Sequence, residues 1–384
     1  MAKYLVTNFA YGTGPYLRTT ELALDFNKEL EKRGGERLGI IVPLIYGEKQ
    51  KRIMLEEFQP NADEIFLDDE LGGLLSSIFY GDNTYEEALR KWIEGVKEMS
   101  ERANKYLSSR FSVTSLSGKQ IEVDGKDIVA EINRAPRIRY DVAPVYYTSF
   151  GHISQILEKS KEIPYETISV DPELLERGVK ISEWVESAGR IHVIAYPATF
   201  SWREDYKPKY STEVLTPPIA RLYPPDYEQF DPGIFVTITG IPGLERLYKD
   251  AERFGLRLYA SDAKEVPGST RKLPNVINNE NTVLHFARAG FGSIWPSMTS
   301  GTPFVAPDFD PKDDPEVYFN NVLLEELGIG FVYRGEPLEE ILKEIPRLKE
   351  NSKKMCDKIL ERWGTLDGNQ YCAKLFADDF LKGA

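Results

Sequence analysis

The sequence is short of the residue types that most often hold a metal or a disulfide. Its 384 residues include two cysteines, Cys356 and Cys372, and three scattered histidines, His152, His192 and His285. There is no CxxC pair and no His/Cys cluster, which argues against a zinc site or a disulfide scaffold. The two thiols fit burial in a reducing compartment. Positive charge is short as well: 48 Lys and Arg stand against 61 Asp and Glu, a net charge of −13. A general nucleic-acid binder needs a basic face, so that class is set aside. Long apolar runs are missing. None reaches the roughly 20 residues that cross a bilayer, and Met1 to Gly14 lacks a signal-peptide profile. A cytoplasmic protein is expected. What is present is 41% apolar and 12% aromatic residues, ample for packed cores, and a length that suits two domains.

The chain opens as an α/β protein. Tyr4 to Phe9 reads as a strand, Gly12-Thr13-Gly14 as a loop, and Thr19 to Arg33 as a helix with Leu22, Phe26 and Leu30 at helical spacing. Gly34-Gly35 ends it, and Leu38 to Val42 is the next strand. This β-loop-α-β order starts an open parallel sheet, whose ligands sit at the carboxyl ends of the strands. Glu64 to Leu67 is a third strand and Tyr85 to Ser108 a long helix. Phe111–Thr114, Lys119–Val123 and Ile128–Ile132 read as short strands, with Asp124-Gly125 as a tight hairpin turn. Val142 to Ser149 is a strand, followed by Phe150-Gly151-His152 and a helix. His152 at that junction is either a catalytic base facing the ligand cleft or a capping and packing histidine. Residues 197–232 are rich in proline and read as an irregular interdomain crossover. A second set of strands and helices begins at Gly233, with a further glycine loop at Gly240-Ile241-Pro242-Gly243.

Residues 282–321 carry the densest signal. Thr282 to Phe286 reads as a strand, Arg288 to Ser293 as a glycine turn, Ile294 to Ser300 as a short helix with Pro296 in its first turn, and Thr302 to Pro307 as the next strand. A glycine turn between strand and helix lets backbone N–H groups meet a phosphate at the positive end of the helix dipole. An αβ connection that merely needs small residues is the other reading. Ser293 then either donates to a phosphate oxygen or caps the helix, and Arg288 either neutralises phosphate or forms an ordinary ion pair.

This stretch resembles the donor-binding segment of GT-B glycosyltransferases, in particular the lipid II-forming N-acetylglucosaminyltransferase and the UDP-dependent glycosyltransferases. The resemblance rests on Arg288/Gly290, Gly301-Thr302-Pro303, Pro307 and Glu316…Asn320. It implies two doubly wound Rossmann-like domains facing a cleft: an acceptor-side domain over 1–218, a nucleotide-sugar domain over 219–364, and a helix over 365–384 that crosses back to the first domain. It implies hexosyl or N-acetylhexosaminyl transfer from a nucleotide sugar, with UDP the expected nucleotide, to an acceptor hydroxyl, without a metal or other cofactor. Arg288, Gly290, Gly292, Ser293, Gly240, Ile277, Glu316 and Asn320 would then bind the donor. Gly12, Thr13 and Gly14 match the loop that faces acceptor and diphosphate. An acceptor that is lipid-linked or a small molecule, and a peripheral membrane contact, fit the resemblance equally.

The sequence departs from the family in three places. Pro15 and Tyr16 replace the Gly-His of the first loop, Pro296 replaces a ribose-binding Glu, and Glu316-Val317 stands for the usual Asp-Gln. Two other readings follow. The acids Asp308, Asp310, Asp313, Asp314 and Glu316 suit a nucleotide-sugar epimerase or hydrolase of the same fold. The lost histidine suits a non-catalytic subunit.

Overall fold

The computed structural model describes residues 2–8, 13–76, 84–134, 137–237, 244–264 and 266–383. Among these the strands fall into two sheets. The first holds β1 (Tyr4–Thr7), β2 (Gly39–Pro43), β3 (Ile65–Asp68), β4 (Arg110–Ser115), β5 (Gln120–Asp124), β6 (Ile128–Arg134), β7 (Val145–Ser149), β8 (Gly189–Ala195) and β9 (Glu213–Thr216). Their spatial order is β5-β4-β3-β2-β1-β6-β7-β8-β9. The second holds β10 (Gly233–Val236), β11 (Arg257–Ala260), β12 (Thr270–Arg271), β13 (Thr282–Phe286), β14 (Phe304–Pro307) and β15 (Gly330–Tyr333), in the order β12-β11-β10-β13-β14-β15. The second sheet is parallel throughout. In both, the strand order reverses beside the first strand: between β1 and β6, and between β10 and β13. Such a reversal opens a crevice at the carboxyl ends of the strands, where doubly wound sheets bind ligands.

The helices are α1 (Thr13–Lys32), α2 (Gly47–Phe58), α3 (Asp69–Ser76), α4 (Tyr85–Leu107), α5 (Ile153–Ser160), α6 (Pro172–Glu186), α7 (Leu244–Arg253), α8 (Phe291–Ser300), α9 (Pro315–Leu327), α10 (Leu338–Trp363) and α11 (Gly368–Gly383). None of the described helices is long and apolar enough to cross a membrane. In α4, Leu89, Trp92, Ile93, Val96 and Ala103 are buried on one face, and Thr84 with Glu87 forms a capping box at its start.

Four expectations change. α1 begins at Thr13, six residues before the expected Thr19, so Thr13 and Gly14 belong to its first turn rather than to a loop. The hairpin is β4–β5, turning at Ser117-Gly118, and not β5–β6 at Asp124-Gly125. β6 is buried along nearly its whole length and sits between β1 and β7 as a central parallel strand. The proline-rich crossover contains β9, which pairs parallel with β8 at the sheet edge. α2 has no strong periodic stripe and was not anticipated; it buries Gln50, Met54 and Phe58.

Helix α11 returns across the first sheet and lies against α1. Phe26 meets Phe380 edge to face at 5.7 Å, and Tyr146 meets Phe376 at 4.8 Å. Asp379 accepts a hydrogen bond from the Tyr146 hydroxyl at 3.0 Å and pairs with Arg190, and Arg33 pairs with Asp378 at 3.1 Å. Gly368, the first residue of α11, is pressed against the Pro217 and Pro218 carbonyls and donates its N–H to Pro218. Both thiols are free, and burial pushes Cys356 up to about 11 and Cys372 up to about 12.

Candidate functional site

The carboxyl ends of the two sheets face each other, and packed aromatics fix the approach. Phe150, just beyond β7, lies 5.2 Å from Phe291 and 5.3 Å from Trp295 of α8. Trp295 is fully buried and donates its indole N–H to the Pro197 carbonyl at 2.7 Å. Phe200 packs edge to face on Phe319 of α9 at 4.9 Å. Two backbone bonds add to this: Tyr85 N–H to Lys312 carbonyl at 3.0 Å, and Ser169 N–H to Pro311 carbonyl at 2.8 Å.

At the middle of this arrangement is the turn from β13 into α8. The helix starts directly after Gly290, three residues earlier than the sequence suggests, because Ser293 and Ile294 both donate to the Gly290 carbonyl. Pro296 is therefore interior to the helix and buried, not in its first turn. The residue that the resemblance sets against a ribose-binding Glu is thus part of the core. Gly290 is the N-cap, so Ser293 is not capping, and its hydroxyl makes no hydrogen bond among the described residues. A Cβ built at Gly290 or Gly292 meets only open space. The first N–H groups of a helix have no intrahelical acceptor. This turn therefore offers backbone donors, a serine hydroxyl and the positive end of a dipole to an anion.

Asn320 ties the turn to α9 and to the first sheet. It is fully buried; its amide donates to the Ala289 carbonyl at 2.8 Å and to Glu316 Oε1 at 3.2 Å, and its oxygen accepts from the Thr199 hydroxyl at 3.2 Å. Glu316, in the first turn of α9, is half-buried. Burial and then the Asp314 charge raise its pKa to about 7, against the pull of Arg288 and the Asn320 hydrogen bond. Arg288 lies beside them but is engaged: its guanidinium forms a fork with Asp313 at 2.9 and 2.5 Å.

The other acids near α9 are occupied too. Asp308 pairs with Arg334, Asp310 accepts from the Lys312 N–H, and Asp314 caps α9 and pairs with Arg137 at 3.5 Å. Apart from Glu316, the acid cluster is thus a set of caps and ion pairs.

Thus Arg288, Gly290, Gly292, Ser293, Glu316 and Asn320 come together. Ile277 does not join them. Its carbonyl accepts from the Thr302 hydroxyl at 2.5 Å. Thr302 follows the C-cap of α8, while Gly290 is its N-cap, about 15 Å away at 1.5 Å per residue. Gly12 and Gly240 lie outside the described residues. Thr13 and Gly14 place backbone in the first turn of α1.

His152 is corrected by the structure. It is the N-cap of α5, as its place in the sequence suggests, but its side chain is 2% exposed and its Nε2 is bonded to Glu213 at 2.8 Å. Glu213 also accepts from the Tyr206 hydroxyl and the Lys209 N–H. Burial raises the Glu213 pKa, but the hydrogen bonds from His152 and Tyr206 outweigh it and hold the carboxyl below its usual value. His192 stacks on Tyr210 at 4.5 Å in the same network. These residues fasten β9 and the crossover. The base position expected of His152 is therefore empty of that side chain, because a partner 61 residues later in the chain captures it.

Sequence reasoning missed Arg134 at the end of β6. It is 4% exposed and lies with its guanidinium over the Phe150 ring at 4.8 Å. A lone arginine after an apolar strand carries no local signal; only the sheet order puts it at the reversal beside β1.

No family model and no curated protein matches the sequence. Solved structures do match in fold. The Phytolacca americana UGT2 complex with UDP-2fluoro-glucose and pterostilbene is similar at a TM-score of 0.60 and 10% identity, over 99% of this chain and 100% of that one. Medicago truncatula UGT71G1 with UDP-glucose is similar at 0.56 and 16%, over 99% and 98%. TcCGT1 in complex with UDP is similar at 0.61 and 14%, over the whole of both chains. The chain has the GT-B fold of two facing Rossmann-like halves.

Proposed function

We propose that this chain is a glycosyltransferase that moves a hexosyl or N-acetylhexosaminyl group from a nucleoside diphosphate, UDP first among them, to an acceptor hydroxyl. The observation that carries this reading is the open first turn of α8 at Gly290, Gly292 and Ser293, backed by Glu316 and Asn320. In the reaction the bond between the anomeric carbon and the diphosphate breaks, and negative charge grows on the leaving phosphate. Backbone N–H groups and the Ser293 hydroxyl, fixed before the charge develops, stabilise it without a metal. Glu316 takes a hydroxyl of the donor sugar, and Asn320 holds Glu316 in place. The similar structures named above hold UDP, UDP-glucose or its fluoro analogue, which supports UDP as the nucleotide. The pterostilbene in one of them supports a small-molecule acceptor over a lipid-linked one. With the other acids tied up in caps and ion pairs, an epimerase or hydrolase is the weaker reading.

The test is a thermal-shift panel of UDP, GDP, ADP, CMP and dTDP with their sugar conjugates. A ligand at a hundred times its Kd stabilises the native state by about 2.7 kcal/mol. One nucleoside diphosphate is expected to stand out, and Gly292→Trp to abolish its effect while leaving the fold intact, since the added side chain enters open space. Release of the diphosphate with an acceptor library then scores transfer. A flat panel on folded protein sinks the reading.

A further inference from the structure

The charge around the proposed diphosphate site is unbalanced in one place. Arg134 is the only lysine or arginine among the described residues with under a tenth of its surface exposed. Buried cations ordinarily have a carboxylate partner. Arg134 has one hydrogen bond among the described residues, from Nη2 to the Ile219 carbonyl at 2.8 Å. Among the described residues its Nε and Nη1 have no acceptor, although a guanidinium carries five N–H groups in a fork suited to phosphate. Burial and the nearby Arg18 charge draw its pKa down to about 10, so it stays charged at neutral pH. Arg18 is itself paired with Glu21 at 2.5 Å and does not relieve it.

The position is as telling as the charge. Arg134 ends β6, where the order of the first sheet reverses beside β1. Its register partner on β7 is Thr148, whose buried hydroxyl also lacks a hydrogen bond. The guanidinium lies on Phe150, which in turn packs on Phe291, the first residue of α8. The charge of Glu316 also acts on it. So Arg134 reaches from the first half toward the turn that the second half offers to an anion. Arg288, the arginine in that turn, is already neutralised by Asp313.

We propose that Arg134 is a donor-binding residue whose guanidinium pairs with the diphosphate held at the first turn of α8, so that the two halves grip the same phosphates. This rests on the reading of the cleft as a nucleotide-sugar site. It assigns the cation of that grip to the acceptor-side sheet.

The test compares UDP, UMP and uridine by calorimetry on the wild type, R134K and R134Q, using the GDP, ADP or dTDP series should another base bind. R134Q is expected to weaken the diphosphate by roughly 10- to 100-fold, the worth of one charge-assisted hydrogen-bonded contact, and to leave the nucleoside unchanged. R134K, which keeps charge without the fork, falls between. Equal losses on diphosphate and nucleoside, or no loss, would overturn the proposal and leave Arg134 as a clamp on the crossover at Ile219. Should R134Q not fold, R134K carries the same comparison. A wild type that binds none of the diphosphates overturns the transferase reading as well, an outcome distinct from a wild type and R134Q that bind equally.

Discussion

Glu316 shows how one carboxyl is tuned by its surroundings. Burial and the Asp314 charge raise its pKa, so it takes up a proton at a higher pH than an ordinary glutamate. Only the carboxylate accepts a sugar hydroxyl with both oxygens. Binding of the intact nucleotide sugar, relative to the free diphosphate, is therefore expected to strengthen as pH rises from 6 to 8. Glu316→Gln removes that pH dependence, and calorimetry across the range reads it; a dependence that persists in the variant would exclude Glu316 as its origin.

Glu131 on β6 is a structural counterpart. Burial raises its pKa to about 8. One oxygen accepts from the Val142 and Ala143 N–H groups, and the other has no partner. The folded protein holds this proton up to about pH 8, while the unfolded chain releases it near 4.5. The folded state thus binds more protons between these values, and stability falls as pH rises through them, by roughly 1.4 kcal/mol for each unit displaced. Denaturant melts are expected to show wild-type stability declining between about pH 4.5 and 8 and levelling off above, and Glu131→Gln losing that decline. A parallel decline in the variant would assign it elsewhere. Arg288, Glu316 and Asn320 were legible from the sequence because they lie within 33 residues of one another. Arg134 and the fate of His152 were not, since both depend on partners far along the chain.

At the scale of elements, strong periodicity was read well and chain pairing was not. The amphipathic stripe of α4 is local, and that helix appears where the sequence places it. The Asp124-Gly125 pair looks like a hairpin turn by type, yet the next strand pairs with β1. Burial chose: β6 is buried almost throughout, Glu131, Asn133 and Arg134 included, and lies between β1 and β7. Helix α11 depends on a different local fact, the absence of a side chain at Gly368. A Cβ there would lie 2.4 Å from the Pro217 carbonyl oxygen and 2.5 Å from that of Pro218. Gly368→Ala must move rigid backbone, a strain of about 1–3 kcal/mol. Hydrogen exchange is expected to accelerate in residues 368–383 ahead of the rest; unchanged protection there would show that α11 is seated by its apolar face alone.

For the whole molecule, one buried apolar cluster runs from Leu5 and Phe26 of the first half through Trp295, Phe304 and Leu324 of the second to Phe376 of α11. The halves are thus coupled through a shared core as well as through the chain. Unfolding is expected to be a single cooperative transition by calorimetry, and Trp295→Ala to lower stability by about 3–5 kcal/mol, losing both the packing on Phe150 and the bond to Pro197. Two separate wild-type transitions would show that the halves fold independently.

What the sequence determined by itself is the local material: parallel α/β halves on either side of a proline-rich crossover, and a glycine turn with a nearby acid and asparagine. These follow from periodicity, turn chemistry and spacing over a few tens of residues. The tertiary structure decided which polar groups were consumed and which remained. It gave His152 to Glu213, Arg288 to Asp313 and Ile277 to Thr302, and among the described residues it left Ser293 unbonded and Arg134 with a single bond. The physical reason is that a hydrogen bond or ion pair depends on distance in space, and the strand order that sets those distances is fixed by burial across the whole chain.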